Sequence, residues 1–251
     1  MKITEQELEI FSRQLILKEF DLPIFNNLQK KKISVIGLGG IGCPTSQYLV
    51  ASGVKKLNLF DKDIVQKTNL NRQLLYSIKD IGKNKAFVAK QKLLGINPDS
   101  EIKSYDKNIT KKNINLLKNS SIIIDASDNW QTMKLINKYC VTHCIPLISS
   151  SVIGFDAQVI LFKNAIDNHI CLQCIFPNTE EPKLARCESV GVMGTATGLA
   201  GIITAQKTIN YLLQLKNEKN VITMIDTKSC IIRNIITIKN DNCINYKKNK
   251  I

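Results

Sequence analysis

Hydrophobic and polar positions alternate in blocks along the first 150 residues, and this pattern predicts strands and helices in turn. Short apolar runs indicate strands at residues 32–36, 57–60, 122–124 and 146–149. The stretches between them have helical spacing, with one helix stopping at Gly53 and a lysine-rich helix over residues 84–94. Strands that alternate with helices in this way are typical of a parallel, doubly wound sheet.

The pattern differs at the two ends of the chain. Near the start, Leu8, Phe11 and Leu15 have helical spacing, and a turn is predicted at residues 21–23. The later signals are an alternating strand at 158–162, an uncharged helix of small residues at 189–206, and a hairpin at 221–224 and 231–238. We therefore predict an α/β fold: a Rossmann-like, doubly wound, mostly parallel sheet with an antiparallel C-terminal extension.

No repeat or low-complexity linker divides the chain, so we predict a single domain over residues 1–251. Its parts are an N-terminal helical arm, 1–28, a nucleotide-binding half, 29–150, and a second half, 151–251, that contains the cysteine segment.

The formal net charge of +14 could indicate a protein that binds nucleic acid or a membrane surface. The lysines are scattered, however, and no aromatic residues alternate with them to stack bases. We therefore predict no nucleic-acid or membrane partner, although a basic surface would steer an acidic protein or a nucleotide. The chain starts with polar residues and lacks a secretory signal, so we expect a reducing, cytoplasmic location for its eight cysteines.

A glycine-rich loop follows the first predicted strand and opens the next helix. Its glycines are Gly37, Gly39, Gly40 and Gly42. Asp61 lies 24 residues after Gly37, at the end of the second strand. Glycines let backbone N–H groups approach a phosphate at a helix N-terminus, and a carboxylate in this position accepts hydrogen bonds from ribose. The loop and its acid predict a nucleotide site.

Polar and charged residues then indicate which nucleotide binds. The second strand is followed by Asp63, Asn69, Arg72 and Lys85. The two cations among them, Arg72 and Lys85, suit a triphosphate better than a nicotinamide. Alternatively, Lys85 is an ordinary lysine on the solvent-exposed face of its helix, without a role in binding. An NAD(P)-dependent oxidoreductase remains an alternative, but neither His143 nor His169 has a catalytic context.

Three groups of cysteines have different interpretations. Cys171 and Cys174 have the spacing of half a zinc site, or of a redox pair. Cys187 follows an arginine, which favours its thiolate, although an ordinary loop cysteine would have the same neighbour. The remaining candidates for packing are Cys43, Cys140 and Cys144, the last two spaced four apart on a predicted helix.

Six motifs in this order and spacing resemble the ThiF/MoeB/HesA family of sulfur-carrier adenylyltransferases, relatives of the ubiquitin-activating enzymes. The motifs cover residues 12–14, 37–42, 61–63, 69–73, 125–129 and 171–174, and the likeness extends from about Phe11 to Cys243. The stretches 149–156 and 174–182 are most similar to ThiF itself.

The resemblance implies an ATP-dependent enzyme that adenylates the C-terminal Gly-Gly carboxylate of a ubiquitin-like sulfur carrier, priming it for thiocarboxylate formation. The likeness to ThiF implies ThiS, the carrier of thiamine thiazole synthesis, as the substrate, with the molybdopterin-synthase carrier of MoeB as the alternative. Residues 151–251 would then be the carrier-binding half. A persulfide sulfur donor and a homodimer are implied as partners.

The resemblance also implies roles for single residues. Asp61 would bind ribose, Gly40 would line the phosphate loop, and Asn69, Arg72 and Lys85 would contact phosphates. Asp128 would hold Mg²⁺, next to Asn129, although both residues could form an ordinary Asx turn. Arg13 would reach the neighbouring subunit's site, or could be a surface ion-pair residue. Cys187 would take part in sulfur transfer.

In the family, a second C-x-x-C pair completes a zinc site. Here Cys243 is followed three residues later by Tyr246, which is a poor zinc ligand. Zinc could be bound by Cys171, Cys174 and Cys243 with water or a substitute such as Cys230. The site could also be empty, or Cys171 and Cys174 could be a redox pair.

Overall fold

The computed structural model of the chain describes residues 3–164, 170–177, 191–215, 220–240, 242–243 and 245. The described helices are α1 (Glu5–Leu15), α2 (Leu22–Lys30), α3 (Gly42–Ala51), α4 (Lys85–Leu94), α5 (Trp130–Thr142), α6 (Leu172–Ile175) and α7 (Gly194–Leu212). The described strands are β1 (Lys32–Ile36), β2 (Lys56–Phe60), β3 (Glu101–Tyr105), β4 (Ile122–Asp125), β5 (Leu147–Ile153), β6 (Asp156–Phe162), β7 (Val221–Asp226) and β8 (Ile231–Ile236).

These eight strands form one sheet in the order β3-β2-β1-β4-β5-β6-β7-β8. The pairs from β3 to β5 are parallel, whereas β6, β7 and β8 are antiparallel additions. The predicted Rossmann-like sheet with an antiparallel C-terminal extension is therefore confirmed. The order in which strands are added changes direction between β1 and β4, because β2 and β3 lie on one side of β1, and β4 and β5 lie on the other. In doubly wound sheets, ligands bind at such a switch point.

Strand register aligns the ends of the parallel strands. Ile36 at the end of β1 pairs with Phe60 of β2 and with Asp125 of β4. The main chain continues this alignment beyond the strands, since Gly37 N–H donates to Phe60 O and Ala126 N–H donates to Ile36 O, each at 2.9 Å. The loops after β1, β2 and β4 therefore leave the sheet at the same edge.

Hydrophobic side chains cover both faces of the central strands, as expected for parallel strands buried on both sides. One buried cluster packs the helices α1, α2, α3, α4 and α7 against the sheet, with Phe11 and Phe25 among its largest members. The other cluster packs α5 and the loops beside it against the opposite face, around Phe60 and Phe162. Helices on the two faces hold the carboxyl edge of the sheet in a fixed shape.

Helix α1 is held to the domain by a buried carboxylate. Glu7 is 2 % exposed, and it accepts hydrogen bonds from Lys55 Nζ at 2.7 Å and from Gln29 Nε2 at 2.6 Å. Burial alone raises the pKa of Glu7, but hydrogen bonds from Lys55, the Thr4 N–H and Gln29 outweigh it and lower that pKa below its usual value. The N-terminal arm is thus fixed by specific contacts and does not depend on helix propensity alone.

The sequence interpretation was incomplete or wrong at three places. Strand β3 carries alternating exposed and buried positions on the sheet edge, and its short, polar sequence gave no strand signal. Asp21 does not mark a simple turn, because its carboxylate caps α2 through the Ile24 N–H at 3.0 Å. Cys144 does not share a helix face with Cys140: it follows the end of α5, has a φ of +52° and is exposed.

Candidate functional site

The glycine loop after β1 is shaped by close contacts that leave no room for side chains. Gly37 has a φ of +86°, and a Cβ there would lie 2.6 Å from Ala126 O in the loop after β4. A Cβ on Gly40 would lie 2.8 Å from side-chain atoms of Thr197 on α7. The loops after β1 and β4 and the first turns of α7 therefore meet at the predicted phosphate loop.

Asp61 connects the end of β2 to this loop. Its Oδ2 accepts the Leu38 N–H at 2.7 Å, and its Oδ1 accepts the Asp63 N–H at 2.8 Å. Burial raises the pKa of Asp61, and the nearby Lys85 ammonium opposes that rise. The predicted ribose-binding acid is therefore fixed beneath the glycine loop.

Lys85 lies in this site and not on the solvated face of its helix. Its side chain is 8 % exposed, and its Nζ contacts Asp63 Oδ2 at 3.3 Å. The Lys85 N–H also donates to Asp63 O at 2.8 Å, and Asn84 caps α4 through the Phe87 N–H. The first turn of α4 thus brings the predicted phosphate-binding cation next to Asp61 and Asp63.

The segment at residues 69–73 lies between the glycine loop and the start of α7. A Cβ on Gly194 would meet Asn71 O at 2.6 Å, and one on Gly39 would lie 3.7 Å from Gln73 Nε2. Arg72 Nη1 donates to Thr68 O at 3.0 Å. The buried Asn69 is held in this segment because its Oδ1 accepts the Gln66 N–H at 3.1 Å.

The loop after β4 is organised by Asp125. This carboxylate is fully buried and accepts the N–H and O–H of Ser127 at 3.0 and 2.6 Å. Its other oxygen, Oδ2, is buried without a hydrogen-bond partner, and burial raises the pKa of Asp125 to about 6. Asp128 is exposed beyond it, while Asn129 Oδ1 caps α5 through the Thr132 N–H at 2.9 Å.

Arg13 lies apart from the glycine loop of its own chain. It is exposed in the last turn of α1, next to Gln14, whose Nε2 donates to Ala51 O at 2.8 Å. Ala51 ends α3, whereas the glycine loop begins α3, and ten helical residues span about 15 Å. Arg13 is therefore near the C-terminal end of α3, whereas the glycine loop is at the other end of that helix.

Three of the predicted zinc ligands come together. Cys171 Sγ lies 4.0 Å from Cys174 Sγ and 3.6 Å from Cys243 Sγ, and the three sulfurs lie within 4.8 Å of one another. Cys171 and Cys243 are buried, whereas Cys174 is half-buried. The contact between Cys171 and Cys174 raises the pKa of Cys171 and lowers that of Cys174.

Cys230 is not a fourth member of this group, contrary to one sequence alternative. It lies in the turn that joins β7 and β8, where its Sγ contacts Thr227 O at 3.7 Å. The cysteine group lies beside Asn240, beyond the other end of this hairpin, and six-residue strands separate the two ends by roughly 17 Å. Cys187 and Tyr246 lie outside the described residues.

Sequence reasoning missed residues that shape the site without being charged. Thr197 packs on Gly40, and Tyr76 donates its O–H to Leu38 O at 2.9 Å inside the loop. Gln73, within the motif at residues 69–73, is 4 % exposed with an unpartnered Oε1. The small residues that begin α7 were the available signal, since they permit close approach of another backbone.

A groove runs along the start of α7 and the β7–β8 hairpin. It has a volume of about 390 Å³ and is lined by Thr195, Leu199, Ile225, Thr227, Cys230 and Ile232. Because Gly194 contacts the backbone of Asn71, this groove begins next to the predicted phosphate-binding segment.

Across the described residues, none of the helices has the length and apolar character needed to cross a membrane.

Comparison with known proteins gives a family and several relatives. The ThiF family matches residues 11–245. The adenylyltransferase and sulfurtransferase MOCS3 of Drosophila persimilis is 34% identical over 246 residues, which are 96% of this chain and 54% of that protein. The chain thus spans about half the length of such curated relatives. A sulfur carrier protein adenylyltransferase of Thermus thermophilus is 31% identical over 249 residues, 97% of this chain and 92% of that protein.

Solved structures share the fold. Escherichia coli MccB, determined with AMPCPP and MccA, has a TM-score of 0.83 and 23% sequence identity. The match covers 97% of this chain and 74% of that one. PaaA has a TM-score of 0.75 and 21% identity over 95% of this chain and 76% of that one. At these identities the likeness shows a common fold.

The contact at Gly37 predicts a large effect of a single methyl group. Gly37→Ala would place Cβ against Ala126 O as well as strain a left-handed backbone, and we expect it to lower the free energy of unfolding by about 3 kcal/mol. Gly82→Ala is the matched control, because Gly82 has a φ of +85° with open space around its missing Cβ. The control should lose about 1 kcal/mol in urea denaturation. Equal losses in the two variants would contradict the proposed contact.

Proposed function

This chain belongs to the ThiF family, and from that premise we propose that it uses ATP to adenylate the C-terminal Gly-Gly carboxylate of a ubiquitin-like sulfur carrier. The observation that carries the proposal is the buried Lys85 next to Asp61, directly below the glycine loop at the switch point of the sheet. An anion-binding loop, a ribose-binding acid and a buried cation together suit a nucleoside triphosphate.

The chemistry agrees with these residues. The carrier carboxylate attacks the α-phosphorus of ATP, a new acyl–phosphate bond forms, and pyrophosphate leaves with the electrons of the broken P–O bond. A carboxylate is already ionised at neutral pH, so this reaction needs no general base. The barrier comes from repulsion between anions, and cations together with precise placement lower it.

We propose roles for the residues around the loop. Asp61 accepts hydrogen bonds from the ribose hydroxyls, and the backbone of Gly37, Gly39, Gly40 and Gly42 approaches the phosphates. Lys85 would exchange Asp63 for a phosphate, since a 3.3 Å contact with an exposed carboxylate is readily replaced. The other proposed phosphate ligands are Arg72 and the amide groups of Asn69 and Asn129.

Magnesium is proposed to bind at Asp128. Mg²⁺ takes carboxylate oxygens and substrate phosphates as ligands, and Asp128 is exposed at the carboxyl edge of β4. The neighbouring Asp125 has a buried oxygen without a partner, so this loop concentrates negative charge beside the phosphate loop. The bound ion would neutralise charge on the phosphates during transfer.

A homodimer is proposed because Arg13 is exposed near the end of α3 that is remote from its own glycine loop. A second copy could receive this guanidinium in its site. Two of the four arginines, Arg13 and Arg72, fall in the motif segments of this lysine-rich chain, which suggests that guanidinium geometry is used there. A monomer at catalytic concentrations, measured by analytical ultracentrifugation, would contradict this assembly.

We propose ThiS, the carrier for thiamine thiazole synthesis, as the substrate, on the basis of the stretches 149–156 and 174–182. The second candidate is the molybdopterin-synthase carrier, because the relatives reported above are described by sulfur-carrier chemistry in general and not by thiamine synthesis. Adenylation rates measured separately with the two carriers distinguish these candidates.

Sulfur delivery is proposed to follow adenylation, with a persulfide as the donor and Cys187 as a participating thiol. A reducing, cytoplasmic setting is proposed because the seven described cysteines are all free, although Cys171 and Cys243 lie 3.6 Å apart. Cys187→Ala should spare adenylation and lower the yield of thiocarboxylate. An unchanged yield, measured by mass spectrometry of the carrier, would contradict the role of Cys187.

Zinc is proposed to bind the three cysteines. Four ligands at about 2.3 Å from zinc in a tetrahedron are about 3.8 Å apart. The observed separations of 3.6 and 4.0 Å bracket that value and far exceed the ~2.05 Å of a disulfide bond. The donor set and its spacing therefore fit zinc, which would join α6 to the chain beyond β8.

The test of the central proposal is ATP–pyrophosphate exchange. Exchange should appear only when a carrier ending in Gly-Gly is present, and a carrier lacking those glycines should give none. Lys85→Met should reduce kcat/KM by about 100-fold or more, because it removes a buried cation from the phosphates. Lys83→Met, at an exposed lysine two residues away, should stay within about twofold.

Two outcomes would contradict adenylation. One is exchange that does not depend on the carrier, and the other is hydride transfer with a nicotinamide cofactor in place of exchange. Circular dichroism of both lysine variants separates loss of activity from loss of folding. Equal rates for Lys83→Met and Lys85→Met would remove Lys85 from the proposed site.

The groove beside α7 is proposed as the path of the carrier tail. Ile232 lines it, whereas Ile235 points to the opposite face of β8, and the two are 52% and 49% exposed. Ile232→Asp should raise the KM for the carrier about tenfold, since the new carboxylate repels the tail, and leave the KM for ATP unchanged. Ile235→Asp is the matched control. Equal effects of the two substitutions would place the tail elsewhere.

A further inference from the structure

The cysteine group offers ligands for three positions of a tetrahedral metal site, and the described residues offer no ligand for the fourth. In that part of the chain, one group of at least three potential ligands lies close enough together for a single ion, and it consists of Cys171, Cys174 and Cys243. At the position three residues after Cys243, where a thiolate would repeat the Cys171–Cys174 spacing, the sequence has Tyr246. The described residues therefore supply three thiolates.

Each of the three sulfurs receives an N–H donor. The Asn240 N–H reaches Cys174, the Asn245 N–H reaches Cys243, and Asn245 Nδ2 lies 3.5 Å from Cys171 Sγ. Hydrogen bonds of this kind stabilise the charged form of each sulfur. Three thiolates would leave one net negative charge on a bound Zn²⁺, and these donors compensate that charge without a fourth protein ligand.

Solvent has access to one side of the group. Cys171 and Cys243 are buried, and Val141 packs beside them, but Cys174 is half-buried. The partly exposed Cys174 marks the side from which a small molecule would reach the metal. Sites with three protein ligands and an accessible fourth position exchange external ligands, whereas sites closed by four thiolates do not.

We propose that Cys171, Cys174 and Cys243 hold Zn²⁺ with an open fourth position that accepts a small external thiolate. This inference rests on the zinc assignment made above and goes beyond it, because it turns a purely structural ion into a ligand-binding site. A thiolate is the favoured ligand class because soft sulfur donors already surround the metal. Binding is ligand exchange: the thiol gives its proton to solvent, its sulfur forms a bond to the metal, and the weaker ligand leaves.

The experiment follows metal binding by spectroscopy and does not require catalysis. The full-length protein, kept reduced with a phosphine, is loaded with Co²⁺ in place of Zn²⁺. We expect one Co²⁺ per chain, and sulfur-to-cobalt charge-transfer absorption should rise by about one third when 2-mercaptoethanol is added, since three thiolates become four. A loaded site whose spectrum does not respond to the thiol would overturn the open position.

Two substitutions at one residue sharpen the test. Tyr246→Cys supplies the missing thiolate, so it should abolish the response to 2-mercaptoethanol and tighten zinc binding more than about tenfold. Tyr246→Phe removes only the hydroxyl group and should retain the response. A loss of metal or a changed cobalt spectrum in Tyr246→Phe would show that the position is already occupied, which overturns the proposal.

Cysteine variants make the remaining outcomes decisive. Cys230→Ser changes an exposed cysteine outside the group and should leave metal content and spectrum unchanged. Cys174→Ser removes one of the three thiolates and should lose about one third of the charge-transfer absorption. A chain that binds neither Zn²⁺ nor Co²⁺ would overturn the zinc assignment together with this inference. Carrier-dependent ATP–pyrophosphate exchange would be unaffected by that result, so failure here is distinguishable from failure of the adenylation proposal.

Discussion

The contact between two backbones at the switch point of the sheet is the constraint on which the rest of the structure depends. Gly37 after β1 lies so close to Ala126 and Ser127 after β4 that no side chain fits between them. This contact forces the glycine loop and the Asp125–Asn129 segment into one crevice. The chemistry proposed for the chain then follows from what each neighbouring strand delivers to the same edge.

Charge in that crevice is arranged before any nucleotide binds. Asp61 is fixed by two backbone N–H groups, and Lys85 is held in a buried position by Asp63 and by the first turn of α4. A cation held in this way does not have to be desolvated and reoriented during the reaction, and such preorganisation is a major source of electrostatic catalysis. The net charge of +14 says less about this site than the burial of Lys85 within it.

Helix α7 links the two halves of the chain. Its first turns pack on the glycine loop through Thr197 and on the backbone of Asn71 through Gly194, while the same turns line the groove beside β7 and β8. Small residues make both contacts possible, because only short side chains allow a helix to approach a loop so closely. The hairpin continues from this groove to the cysteine group, so the proposed carrier path, the nucleotide crevice and the metal ligands belong to one connected framework.

The sequence by itself determined the Rossmann-like sheet, its antiparallel extension, the glycine loop and the family, because these depend on local patterns of hydrophobicity and on ordered motifs. Only the tertiary structure decided that Lys85 is buried in the site, that Arg13 lies near the end of α3 remote from its own loop, and that Cys230 is outside the group of three cysteines. It also added β3, Thr197 and the groove, for which the sequence has weak signals. The physical reason is that burial and proximity arise from contacts between segments far apart in the chain, and residue spacing carries information only about neighbours within an element.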